Sequence, residues 1–240
     1  MSNQVKLFII DFNDFDIDDL AFKLQAFGVE LDSNSKTYKE KLFSQFIRYK
    51  VLKDFLKLSK IEFSINQNNK PYLESHSYTY FNISHTKNHI VMTVADEEIG
   101  VDIEEIVSKK SFMSIAGRYF SDCEVAELER SADLEKDFYT LWTLKESQVK
   151  RSSLGIAYGL KDALFYKKDD RWISENLEKD FESYLFENSV ISICSKGVGL
   201  HEPKIFRIKS GFGFEPIHHH KRQHYSYLLN VSKSMNISGG

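Results

Sequence analysis

Apolar and polar residues alternate along this chain with two different periods, and the switches between them mark out its elements. Val5 to Ile10 is a short, nearly continuous apolar run with β-branched members, which predicts a buried first strand. From about Thr37 to Leu58 the positions Leu42, Phe43, Phe46, Ile47, Val51, Phe55 and Leu58 follow the 3.6-residue period of an amphipathic helix. Lys39, Lys41, Arg48, Lys50 and Lys53 fall on its outer face. Three or four short strands are expected next, at 61–65 (IEFSI), 79–86 (TYFNISHT), 89–95 (HIVMTVA) and 99–106 (IGVDIEEI), separated by polar turns such as QNNKP at 67–71. Residues 112–150 return to helical period through Phe112, Ile115, Ala116 and Tyr119, then Phe138, Leu141, Trp142 and Val149. Strand-like segments follow at 163–167, 183–187, 190–195, 204–208 and 225–231.

Strands cluster in this reading instead of alternating with helices, so the class is α+β and not a βαβ array. Two stretches, 1–105 and 106–240, resemble one another in outline, each a long helix packed with a small antiparallel sheet. No sequence repeat is visible, and neither GxGxxG nor GxxxxGK[ST] occurs.

Composition narrows the picture further. With 19 Phe and 12 Tyr in 240 residues, the chain carries too much apolar surface to stay unfolded. A net charge of −3, from 32 basic and 35 acidic side chains, implies no general affinity for nucleic acid, so any anion site must be local. The apolar run at the start is too short for a signal peptide or a membrane span, and a reducing cytoplasm is the expected location. Cys123 and Cys194 match no metal spacing and no disulfide framework, and ordinary packing is expected of both. The acidic cluster at 11–19 (DFNDFDIDD) lacks the Gly and Glu of a calcium loop and reads as a solvated turn and helix start.

Candidate chemistry begins in the stretch 99–106. On a strand, Ile99, Val101 and Ile103 line one face and Gly100, Asp102 and Glu104 the other, with the two acids about 7 Å apart. Both can reach one hard cation, and Gly100 leaves space beside them for a ligand. An edge strand with a solvated polar face is the other reading of the same eight residues. The segment 138–150 (FYTLWTLKESQVK) adds to the first. On a helix Trp142, Glu146 and Lys150 are successive i, i+4 neighbours, so a third carboxylate and a lysine share a face. Turned toward the strand, that face would make Asp102, Glu104 and Glu146 an all-oxygen site suited to Mg²⁺, with Mn²⁺ as a substitute. Turned to solvent, Glu146 and Lys150 are an ordinary surface pair.

Four motifs occur in a fixed order: N-K-P at 69–71, F-N-I-S-H at 81–85, G-V-D-I-E at 100–104 and W-T-L-K-E-S-x-x-K at 142–150. Together they resemble the Sfp-type 4'-phosphopantetheinyl transferases, over about residues 60 to 165. The resemblance implies a pseudo-dimer of two α/β halves with coenzyme A in the cleft between them. It implies Asp102, Glu104 and Glu146 as magnesium ligands, and Lys150 as a lysine that touches the coenzyme A phosphates. Lys70, Ser84 and His85 match residues that hold the phosphates of the adenosine portion. Asn69 stands where the family usually has Gly, which suits a turn because Asn also adopts left-handed dihedrals. Ser153, Leu154, Gly155 and Ile156 stand where the family commonly shows G-x-G-L. Lys39 and Arg48 are the candidates for further basic residues toward the N-terminus.

The implied reaction is Mg²⁺-dependent transfer of the phosphopantetheine arm of coenzyme A to a serine of an apo acyl or peptidyl carrier protein, releasing 3',5'-ADP. Glu146 is placed to take the serine proton directly or through a metal-bound water. Carrier contacts are expected between Phe112 and Arg118 and between Arg151 and Lys168, and the chain is expected to be monomeric, without nucleic acid or membrane partners. The rivals are a Mg²⁺-dependent phosphohydrolase or nuclease on the same acids, and a non-catalytic module that binds coenzyme A or a carrier. His218, His219 and His220 are expected in a surface loop, and Trp172 in the core.

Overall fold

A computed structural model describes residues 4–108, 111–153, 160, 161, 163–175, 179–196, 203–222 and 225–229. In chain order its elements are β1 (Lys6–Asp11), α1 (Ile17–Gln25), α2 (Tyr38–Tyr49), β2 (Phe63–Ile65), β3 (Pro71–Leu73), β4 (Tyr80–His85), β5 (His89–Ala95) and β6 (Ile99–Glu105). There follow α3 (Phe112–Tyr119), α4 (Asp122–Glu129), α5 (Leu134–Ser152), β7 (Phe165–Lys168), β8 (Arg171–Ser174), β9 (Lys179–Phe186), β10 (Ser189–Lys196), β11 (Lys204–Ile208), β12 (Phe214–Arg222) and β13 (Tyr225–Leu229). The class is α+β, as the clustering of strands implies.

Two small antiparallel groups are present, β4–β5–β1 and β9–β10–β6, and the second draws β6 from the stretch 1–105, where that strand was expected to belong to the first sheet. The strands β11 to β13 join them into one order, β4-β5-β1-β11-β12-β13-β9-β10-β6, through parallel pairings of β1 with β11 and of β13 with β9. β1 is buried on both faces. Phe8 and Ile10 enter a core under α1 and α2, while Leu7 and Ile9 enter a second core with Val101, Ile103, Ile191 and Ile193. Burial on two faces is why its sequence is continuously apolar instead of alternating. A third core lies around α5, where Phe138 and Leu141 meet Phe112, Trp172 and Val190.

Several expectations change at this level. Lys50 is not on a solvated face: it is buried, 2.6 Å from Asp54, in a wide π turn (Lys50–Phe55) that continues α2. Asp11 and Asp14 of the acidic cluster hold Arg207 instead of facing water, although Asp16 caps α1 as a helix start should. The histidine triplet belongs to β12, because backbone pairing with β11 and β13 decides the matter where the side-chain pattern is weak. Cys194 is buried as expected, but Cys123 is exposed. Among the described residues no helix is long and apolar enough to cross a membrane.

Candidate functional site

With Ile99, Val101 and Ile103 committed to the second core, Gly100 and Asp102 turn toward α5. A Cβ on Gly100 would lie 2.0 Å from the Ser147 carbonyl oxygen and 2.5 Å from the Arg151 nitrogen. The glycine therefore makes room for the helix backbone, and the expected space for a ligand at that atom is taken. Asp133 caps α5, acids occupy its first turn, and Lys150 and Arg151 occupy its last, an arrangement that suits the helix dipole.

The close approach brings the helix face onto the strand. Lys150 Nζ donates to Asp102 Oδ1 at 2.6 Å and to Ser84 Oγ at 2.7 Å, and the Ser84 hydroxyl donates to the same Asp102 oxygen at 2.8 Å. Asp102 Oδ2 is buried and receives no hydrogen bond. One turn before Lys150, Glu146 is buried, and its carboxyl is pushed up to about 7. Burial is the main cause; Asp102 and Glu104 add to it and Lys150 opposes it. Glu104 is half-buried. The three acids named from sequence are thus near enough to act on one another.

β4 and β6 end opposite edges of the strand order, yet they meet. Asn82 Oδ1 accepts the Val101 N–H at 2.9 Å, Ser84 reaches Asp102, and Thr86 and Asn88 donate to Glu105 at 3.0 and 2.8 Å. Side chains of one edge thereby satisfy the open edge of the other. The fixing role of Asn82 is not apparent from sequence, although it stands in F-N-I-S-H at the strand spacing from Ser84. His85 is exposed and, by that alternation, leaves β4 on the other side from Ser84.

Lys70 sits on the turn before β3, where Asn69 adopts φ 61°, the left-handed backbone that a Gly would otherwise supply. Its ammonium donates to the carbonyls of Arg151 at 2.9 Å and Ile99 at 3.2 Å, tying the end of α5 to the start of β6. Burial lowers its pKa to about 8, against a partial rise from Glu98. A cavity of about 400 Å³ opens beside it, lined among others by Tyr72, Tyr80, Phe81, Arg151 and Ser152. Three basic groups, Lys70, Lys150 and Arg151, therefore surround one helix end, an arrangement suited to a polyanion.

The donor set is of the kind that fits a hard divalent cation: three carboxylates, one of them with a buried oxygen that has no donor. Trp142 does not join it and packs against Tyr119 and Phe138. Lys39 and Arg48 lie over the rings of Phe12 and Phe63. Ser153 ends α5 at φ 62°, again a left-handed residue where the family places Gly, while Leu154, Gly155 and Ile156 lie outside the described residues.

The model of the 4'-phosphopantetheinyl transferase superfamily matches residues 98–196, from just before β6 to the end of β10. A 4'-phosphopantetheinyl transferase of Bacillus subtilis is 36% identical over 124 residues, 51% of this chain and 54% of the relative. The 4'-phosphopantetheinyl transferase Sfp of Bacillus subtilis strain 168 is 35% identical over 104 residues, 42% of this chain and 46% of its own. The 4'-phosphopantetheinyl transferase AcpT of Salmonella typhimurium is 33% identical over 93 residues, 38% of this chain and 48% of its own. The chain spans about half the length of these relatives. Asp102, Glu104, Glu146 and Lys150 all lie in the matched stretch, so the similarity to the 4'-phosphopantetheinyl transferase superfamily covers the acids and the lysine that the ordered motifs single out.

Proposed function

We propose that the chain transfers the 4'-phosphopantetheine group of coenzyme A to a serine of an apo acyl or peptidyl carrier protein and releases 3',5'-ADP. The observation that carries this reading is the junction of β6 and α5, where Lys150 pairs with Asp102, the other Asp102 oxygen is buried with no donor, and Asp102 and Glu104 both help to raise the Glu146 pKa. Asp102, Glu104 and Glu146 would hold Mg²⁺, or Mn²⁺ in its place. When bound, the cation neutralises charge on the pyrophosphate.

The chain's own groups supply the rest. Lys150, partly exposed, offers a point charge for a phosphate oxygen. Lys70 and Ser84 are assigned to the phosphates on the adenosine side, and the cavity beside Lys70 supports that assignment for the lysine; His85, exposed on the other side of β4 from Ser84, would have to meet a different part of the same ligand. Glu146 keeps its proton up to about pH 7, so above that pH it is a carboxylate able to accept the serine proton. The cleft between the stretches 1–105 and 106–240 is the proposed coenzyme A site. For the carrier, Arg118 and the exposed apolar side chains Val107, Leu164 and Tyr166 provide a mixed basic and apolar surface.

The test is to incubate the chain with coenzyme A, Mg²⁺ and apo carrier proteins of several types, and to weigh the carriers. A gain of one phosphopantetheine that requires both the metal and Asp102 supports transfer. Free phosphopantetheine with unchanged carriers would assign a hydrolase, and unchanged coenzyme A a binding module. In Glu146→Gln, turnover should fall far more than substrate binding; equal losses under saturating Mg²⁺ would remove Glu146 from the chemistry.

A further inference from the structure

A second group of ligating side chains lies away from the acids of α5. Asp11, the last residue of β1, is paired in register with His89, the first of β5. Glu187, in the turn between β9 and β10, approaches the same point from the other strand group. One ligand atom from each of the three lies within 4.8 Å of the other two. We propose that Asp11, His89 and Glu187 form a binding site for one zinc-type divalent cation, which ties the two strand groups together.

The imidazole is the first reason. His89 is only 6% exposed, and neither of its ring nitrogens makes a hydrogen bond. A buried polar group left in that state costs free energy, and a ligand on Nε2 removes the cost.

The spacing is the second. His89 Nε2 lies 3.4 Å from Glu187 Oε2 and 3.9 Å from Asp11 Oδ2. These separations exceed the roughly 2.7–3.2 Å of an N–H···O bond. Two ligands bound to zinc at about 2.0–2.1 Å with tetrahedral angles stand about 3.4 Å apart. The His89 to Glu187 distance already has that value, and Glu187, being exposed, is free to adjust toward Asp11.

Charge is the third. Arg207 on β11 is the local cation, and its closest partner is Asp14, at 2.9 Å from Nη2 and 3.1 Å from Nε. Its contacts with Asp11 (3.4 Å) and Glu187 (3.6 Å) are longer. Three carboxylates against one guanidinium leave two negative charges in excess, which a divalent ion balances. One imidazole with two carboxylates suits Zn²⁺ and its first-row neighbours, whereas the all-oxygen set of Asp102, Glu104 and Glu146 suits Mg²⁺. The two sites therefore differ in the metal they select.

The test uses the full chain carrying Asp102→Asn, which removes one acid of the magnesium cluster. The protein is stripped with a chelator and dialysed against Zn²⁺ in the presence of excess Mg²⁺, and bound zinc and melting temperature are then measured. One equivalent of zinc is expected, together with a rise in melting temperature of several degrees, roughly as mass action requires. Adding His89→Gln should abolish both. Glu187→Gln, at an exposed position that threatens the fold less, should weaken zinc binding at least tenfold. Equal zinc retention with and without these substitutions would overturn the proposal. So would the absence of bound zinc in the chain before those substitutions are added.

Discussion

Helix α5 presents two lysine–carboxylate pairs five residues apart, and they differ in kind. Lys145 and Glu124 are fully buried, 2.8 Å apart. Lys145 also donates to the carbonyls of Leu160 and Ala163, while Glu124 accepts the N–H groups of Phe165 and Ser121. The bonds of this pair run inward, to the start of α4 and the entry to β7. Lys150 and Asp102 are as close, yet the lysine side chain is 30% exposed and one carboxylate oxygen has no donor. The first pair is a tie and the second the proposed site. A short ion-pair distance does not separate them; a buried oxygen left without a donor and a lysine open to solvent do.

The largest expected effect tests the tie. Lys145→Ala strands the Glu124 carboxylate in the core and should cost about 3–5 kcal/mol in denaturant unfolding, while activity per folded molecule falls less than tenfold. Asp102→Asn should do the reverse: the proposed transfer to a carrier drops at least about a hundredfold, equivalent to ~2.7 kcal/mol of barrier, with little change in the unfolding midpoint. If the two substitutions gave the same profile, the distinction would collapse. Glu146→Gln sharpens it through pH. Folded, Glu146 holds its proton up to about pH 7; unfolded, only to its ordinary 4.5. Between these values the folded chain binds more protons, so its stability falls as pH rises through the window. The substitution should abolish that fall, leaving the variant more stable than the parent by roughly 3 kcal/mol at most at pH 8, less where solvent screens the charge, and equal to it near pH 4, in metal-free urea titrations. Ser153→Gly, at a left-handed residue beside the open pair, should gain up to about 1 kcal/mol by thermal unfolding. Smallest is Glu98→Gln, which removes an exposed partner of Arg151 and should shift stability by no more than about 0.5 kcal/mol.

Much of this was legible in the residues because the strand period is strict. Once Ile99, Val101 and Ile103 face a core, Asp102 has one direction left, and the i, i+4 spacing of Glu146 and Lys150 sets them on one helix face. Helix amphipathicity likewise located α2 but not the fate of Lys50, whose aliphatic stem packs inside while its ammonium finds Asp54. Gly100 was read as room for a ligand because periodicity cannot say which backbone comes near, and the answer is α5. The meeting of β4 with β6 was equally hidden. It depends on pairings between strands far apart in the chain, such as Ile191 with Ile103 and Lys6 with Lys204, which no local pattern encodes. The role of Asn82 follows only from that meeting.

The parallel pairing of β1 with β11 also bears on how the molecule is made. Leu7 and Phe8 find their register partners in Ile205 and Phe206, almost two hundred residues later. Until β11 has been synthesised, β1 keeps one edge open, and the two strand groups that carry Ser84 and Asp102 lack the strands that join them. Folding of this sheet should therefore be slow and completed only after β11 has emerged, with a waiting apolar edge that is a target for chaperones.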